Sequence, residues 1–142
     1  MSDIVELLKL LSDGLQKFMG ANRLKRAQVA QSFLNLSKTF NAFPPALETN
    51  NFNEMRRLEK KTKGLLDSLR AAGTMLQVLG KEDAERFFQT IERVSNAKSL
   101  FAERKEGDLD AIIEAAGYFE GYYETLAAES QPVDSGSRAG RS

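Results

Sequence analysis

Apolar residues recur at three- and four-residue steps along almost the whole chain, and nowhere does a two-residue alternation of apolar and polar positions take over. A repeat near 3.6 puts such residues on one stripe of a helix, whereas a half-buried strand needs a period of two. The chain is therefore restricted to an all-α fold.

Five segments carry the pattern. The first opens at Ser2 or Asp3 and runs on Ile4, Leu8, Leu11, Leu15 and Phe18 to Met19, with Gly20 as its weak point. The second extends from about Asn22 to Phe43 on Val29, Phe33, Leu36 and Phe40. Pro44 and Pro45 are expected to stop it, because the residue before a proline is pushed out of the α region. Asn51 starts the third as an N-cap with Glu54 three residues on. Its stripe is Met55, Leu58, Leu65, Leu69, Ala72, Met75 or Leu76, and Leu79, with Thr62 standing among them and Gly80 closing it. The fourth follows Ala84, Phe87, Phe88, Ile91, Val94 and Phe101 and ends by Gly107. Acids in its first turn (Glu82, Asp83, Glu85) and Arg104 and Lys105 in its last match the helix dipole. Asp108 caps the fifth, on Leu109, Ile112, Ala116, Phe119, Tyr123 and Leu126. The stripes of the first two segments share a phase, so they can also be read as one long helix through Gly20. Short connections then call for an antiparallel up-and-down bundle of four to five helices.

A length of 142 residues suits one domain, and 42% hydrophobic residues supply a core without cross-links. Residues 1–128 form the expected bundle domain. Past Ala128 the composition turns to polar, Ser- and Gly-rich sequence, which reads as a disordered tail over 129–142.

The chain has neither cysteine nor histidine. Disulfides, thiolate nucleophiles, imidazole metal ligands and histidine proton shuttles are thereby excluded. A Cys-free chain suits the cytoplasm, and Asp3 and Glu6 do not fit the basic start of a secretory signal. The most apolar stretch, Ile4 to Met19, is broken by Glu6, Lys9, Asp13 and Lys17, so it does not read as a membrane span. Gly-rich phosphate loops are missing, and the carboxylate pairs Glu82/Glu85 and Glu103/Glu106 fall at helix ends, where the dipole and solubility explain them. No catalytic residue, metal site or cofactor is expected. The expectation is a non-enzymatic interaction module, an adaptor, assembly subunit or regulatory domain, with a protein partner or a second copy as its ligand.

Three surfaces are candidates for that contact. Nine of the sixteen residues from Ile4 to Met19 are Ile, Val, Leu, Phe or Met, covering about 220° of helical arc. Ile4, Leu7, Leu8, Leu10 and Leu11 are thus either the centre of the bundle or a docking edge. Laid on an anionic membrane surface with the basic residues beside it, the same helix offers the alternative function. Basic residues cluster at Arg23, Lys25 and Arg26, and again as a face of Arg56, Arg57, Lys60, Lys61 and Lys63, partly offset by Glu59. Nucleic acid is the weaker choice of partner for that face, since overall charge is zero and no aromatics interleave the cluster. On the fifth segment Ala111, Ala115, Tyr118 and Tyr122 widen the apolar arc, while Gly117 and Gly121 sit among Asp110, Glu114, Glu120 and Glu124 without an evident packing reason. Residues 1–80 carry 12 Lys and Arg against 7 Asp and Glu, and residues 107–142 carry 2 against 7, net charges of +5 and −5. The basic third segment is expected to meet the acidic fifth, within the bundle or between copies.

Overall fold

A computed structural model describes the backbone of residues 3–103 and 106–130, with side chains from Val5 to Ala102 and from Asp110 to Ala128. The described residues form an all-α bundle of eight helical segments: α1 (Asp3–Gly20), α2 (Arg23–Asn41), α3 (Phe43–Glu48), α4 (Phe52–Ala72), α5 (Thr74–Leu79), α6 (Lys81–Val94), α7 (Ala97–Glu103) and α8 (Glu106–Ser130). No strand occurs among the described residues. The last helix starts at Glu106, ahead of the expected Asp108 cap, and continues through Ser130; the rest of the polar tail, 131–142, lies outside the described residues.

Five expected helices become eight because the third and fourth stripes are each cut once and a short extra helix, α3, follows the second. Between α1 and α2 the chain bends at Ala21, so the single long helix is ruled out. Asn22 caps α2 by accepting from the Lys25 amide at 2.9 Å, while the Arg26 guanidinium donates to the carbonyls of Met19 and Ala21. One side chain thereby satisfies acceptors that the end of α1 leaves open. Pro44 and Pro45 do not merely stop α2: they lie in the first turn of α3, where a missing N–H costs nothing. Gly73 sits in the left-handed region at φ 72° and separates α5 from α4. α7 is divided from α6 at Ser95 and Asn96, and its first amide, Ala97 N–H, is held at 3.1 Å by the Glu59 carboxylate of α4.

Contacts define the directions. Lys17 meets Asp83 and Glu6 meets Arg93, each at 3.4 Å, so α1 and α6 run antiparallel. Phe33 lies against Tyr122 and the Ser37 hydroxyl donates to the Ala116 carbonyl at 3.0 Å, so α2 and α8 are antiparallel too. Phe52 stacks edge-on against Phe101 while Glu59 reaches Ala97, giving the same sense for α4 and α7. The closest pairing is α2 with α8, which Ala30, Ala115 and Ala116, all buried, permit by their small size.

The core is centred on Phe33. Its ring lies 5.3 Å from that of Phe18, 6.2 Å from Phe87, 5.4 Å from Phe119 and 6.2 Å from Tyr122, so α1, α2, α6 and α8 converge on one side chain. Offset and edge-on pairs of this kind add to the burial itself. α4 follows the expected stripe with two changes: Leu66, not Leu65, is fully buried, and Ala72 is exposed. Thr62, also fully buried, donates to the Leu58 carbonyl at 2.9 Å and so satisfies its hydroxyl within its own helix.

Phe33→Ala should lower unfolding free energy by about 3–5 kcal/mol in urea denaturation, since a ring with four aromatic neighbours cannot be replaced by their collapse. Gly14→Ala should also destabilise, although Ala favours helix. A Cβ there would lie 3.1 Å from Leu79 and 3.2 Å from the Phe18 ring, and overpacking of about 1–3 kcal/mol exceeds a helix gain of about 0.5–1 kcal/mol. An unchanged or raised midpoint for Gly14→Ala would show that α5 can retreat from α1.

Candidate functional site

The structure sorts the three candidate surfaces by what already occupies them. α1 is committed to the bundle and packs against α5, α6 and α8: Leu7, Leu11 and Phe18 are buried, and Leu8 and Leu10 half-buried. Val5, at 50% exposure, is its most open described apolar residue, and the Ile4 side chain lies outside the described residues. An α1 lying on a membrane would first have to leave the core and break the Lys17–Asp83 and Glu6–Arg93 pairs. Among the described residues no helix is long and apolar enough to cross a membrane.

On α4 the basic side chains Arg56, Arg57, Lys60, Lys61 and Lys63 are all exposed. Arg57 is taken by Glu54 in a two-pronged pair at 2.7 and 2.6 Å, and that guanidinium holds the Glu54 carboxyl below its ordinary range. Glu59, the acid inside the cluster, is turned to the first amide of α7. Arg56, Lys60, Lys61 and Lys63 form no ion pair among the described residues. The other basic cluster divides: Arg26 locks the α1–α2 turn, while Arg23 remains exposed.

The outer side of α8 is built differently. Ile112, Ala115, Ala116, Phe119 and Leu126 face the core, and Tyr122 lies half-buried against Phe33. Burial holds the Tyr122 phenol above the usual tyrosine range. Tyr118 stacks on Tyr122 at 6.1 Å, edge to face, and is 41% exposed. One turn away Ile113 is 51% exposed, a residue the sequence stripe passed over although Ile112 and Ile113 cannot both face inward. Gly117 and Gly121 have nothing within 4 Å of where a Cβ would stand. With Glu114, Tyr118 and Tyr122 they line a shallow trough of about 420 Å³. Asp110, Glu114, Glu120 and Glu124 are exposed around it and form no ion pair among the described residues, and no basic residue occurs between Glu106 and Ser130.

Among the described residues the basic face of α4 and the acidic face of α8 do not meet. α2 and α3 each pack against both α4 and α8, which share no substantial contact, so the intramolecular version of the expected pairing does not occur. A second depression, between α2 and α4–α5, is lined by Gln28, Gln31, Asn35, Leu65 and Thr74. Its polar groups are engaged with one another: the Thr74 hydroxyl donates to the Gln28 side-chain carbonyl at 2.6 Å, and the Gln31 amide to that of Asn35 at 3.2 Å. Among the described residues no group of three acids is placed to hold a metal ion.

The α8 glycines contribute nothing to bundle packing that alanine would not. The double variant Gly117→Ala/Gly121→Ala should therefore raise unfolding free energy by about 1–2 kcal/mol in thermal or urea melts, at about 0.5–1 kcal/mol per site. A fall in stability would mean that the open face carries strain relieved only by glycine. Comparison with known proteins yields no match to this chain among family models, curated proteins or solved structures.

Proposed function

We propose that this chain is a non-enzymatic interaction module whose binding surface is the outer face of α8. The observation that carries the reading is the trough itself. Two helical glycines stand open to solvent, beside an exposed tyrosine that is backed by a second, half-buried one.

Each part has a physical use in binding. Glycine lowers the helix surface, so a partner helix can approach its backbone more closely than the usual 8–10 Å between axes. Tyr118 offers a ring whose orientation is restrained by Tyr122, and tyrosine is a favoured interface anchor because it contributes area with few rotatable bonds. Ile113 adds a second apolar contact. The four surrounding carboxylates select the partner: they favour an apolar helix edged with lysine or arginine and repel an acidic one. Helix-in-groove recognition with a charged rim is the binding mode these groups suit.

A synthetic amphipathic helix with a leucine face and lysine margins is the direct probe. Titrated into isotopically labelled protein, it should shift the amides of Gly117 and Gly121 and the Tyr118 ring protons. The same peptide should bind at least about tenfold more weakly to Tyr118→Ala, which removes the exposed ring without adding a charge. Shifts that scatter over other helices, or no shifts at all, would refute the α8 face as a binding surface.

A further inference from the structure

We propose that the partner of the α8 face is a second copy of this chain, which docks through the exposed basic side of α4. The inference rests on the reading of α8 as a binding surface and names its occupant.

Within a folded copy several charges have partners: Lys17 with Asp83, Arg70 with Asp67 and Glu92, Arg57 with Glu54. Others, such as Lys9, Arg23, Lys38 and Glu85, are exposed without an ion pair among the described residues, but on two helices such charges of one sign are grouped. Arg56, Lys60, Lys61 and Lys63 on α4, and Asp110, Glu114, Glu120 and Glu124 on α8, stand exposed without an ion pair among the described residues. The one acid inside the basic run, Glu59, offsets it only in part, with one carboxylate oxygen bonded to Ala97 N–H. The two sets oppose in sign.

Shape agrees with charge. Gly64 lies on the exposed side of α4 and, like Gly117 and Gly121, has nothing within 4 Å of its Cβ position. Both surfaces therefore have a low point where backbones can approach. Arg56 to Lys63 spans about 10 Å of helix and Glu114 to Glu124 about 15 Å, so one α4 face fits within the acidic rim. The aliphatic stems of the lysines can lie across Tyr118 and Ile113 while their ammonium groups reach the carboxylates.

Because α2 and α3 stand between α4 and α8, a copy cannot satisfy both faces by itself. Each molecule offers one donor face and one acceptor face, which is a heterologous contact, and copies add head to tail. Individual exposed pairs contribute little, so the association is weak, steered by charge and sensitive to salt.

Light scattering and sedimentation on the full chain test this. Wild-type mass should rise with protein concentration at about 50 mM salt, and the dissociation constant should increase at least about tenfold by about 500 mM. The triple reversal Arg56→Glu/Lys60→Glu/Lys63→Glu should be monomeric, and so should Glu114→Lys/Glu120→Lys/Glu124→Lys. All six changes in one chain should restore association, which a folding defect could not do. Carbodiimide treatment should join α4 lysines to α8 carboxylates in the multimer only. A wild type that stays monomeric up to about millimolar concentration at low salt would overturn the proposal, and so would self-association that survives the α4 reversal. If the lysine-edged peptide still shifts Gly117 and Gly121 in a chain that never self-associates, the second copy is refuted and the α8 surface stands.

Discussion

Packing around Phe33 is the constraint on which the rest of the molecule depends. Its ring meets Phe18, Phe87, Phe119 and Tyr122, so that α1, α6 and α8 are all positioned against α2. Burial of that many rings outweighs everything polar in the bundle: the cross-helix ion pairs Lys17–Asp83 and Glu6–Arg93 are partly exposed, and such pairs contribute about 0–1 kcal/mol each. Their role is register. They agree with the antiparallel sense of α1 and α6 that the aromatic core requires.

The position of α2 has a consequence for the surface. With α8 closely packed on one flank and α4 on another, α2 keeps the acidic and basic helices apart. A chain whose net charge is zero thus presents two exposed faces of opposite sign. Among the described residues the charge on these two faces is left for the outside, while Glu59 holds the first amide of α7. The helix breaks serve the same geometry. Gly73 in its left-handed conformation and the first-turn prolines of α3 let short segments fold over the bundle without unsatisfied backbone groups.

α8 joins the two levels. Its inner side, with Ala115 and Ala116, allows the closest helix pairing in the molecule, and its outer side, with Gly117 and Gly121, is open where packing asks for nothing. Tyr122 connects them. Its ring touches Phe33 on one edge and Tyr118 on the other, so the exposed ring is backed by the core through a single intermediate.

The helical class, the cap at Asn51, the inward-facing aromatics and the unusual character of the fifth stripe were legible in the sequence, because each of these follows from neighbours within one or two turns. It did not reveal that long stripes are cut at Gly73 and at Asn96, since an apolar period continues across a kink when both pieces face the same core. Nor did it separate Leu66 from Leu65, a shift of one residue that depends on where α4 meets its neighbours. Above all, the basic face of α4 and the described acids of α8 could have met inside one bundle or been kept apart. That choice belongs to the tertiary fold, because helix neighbours are chosen by how side chains such as Phe33 and Ala116 fill a shared volume, which no local pattern encodes.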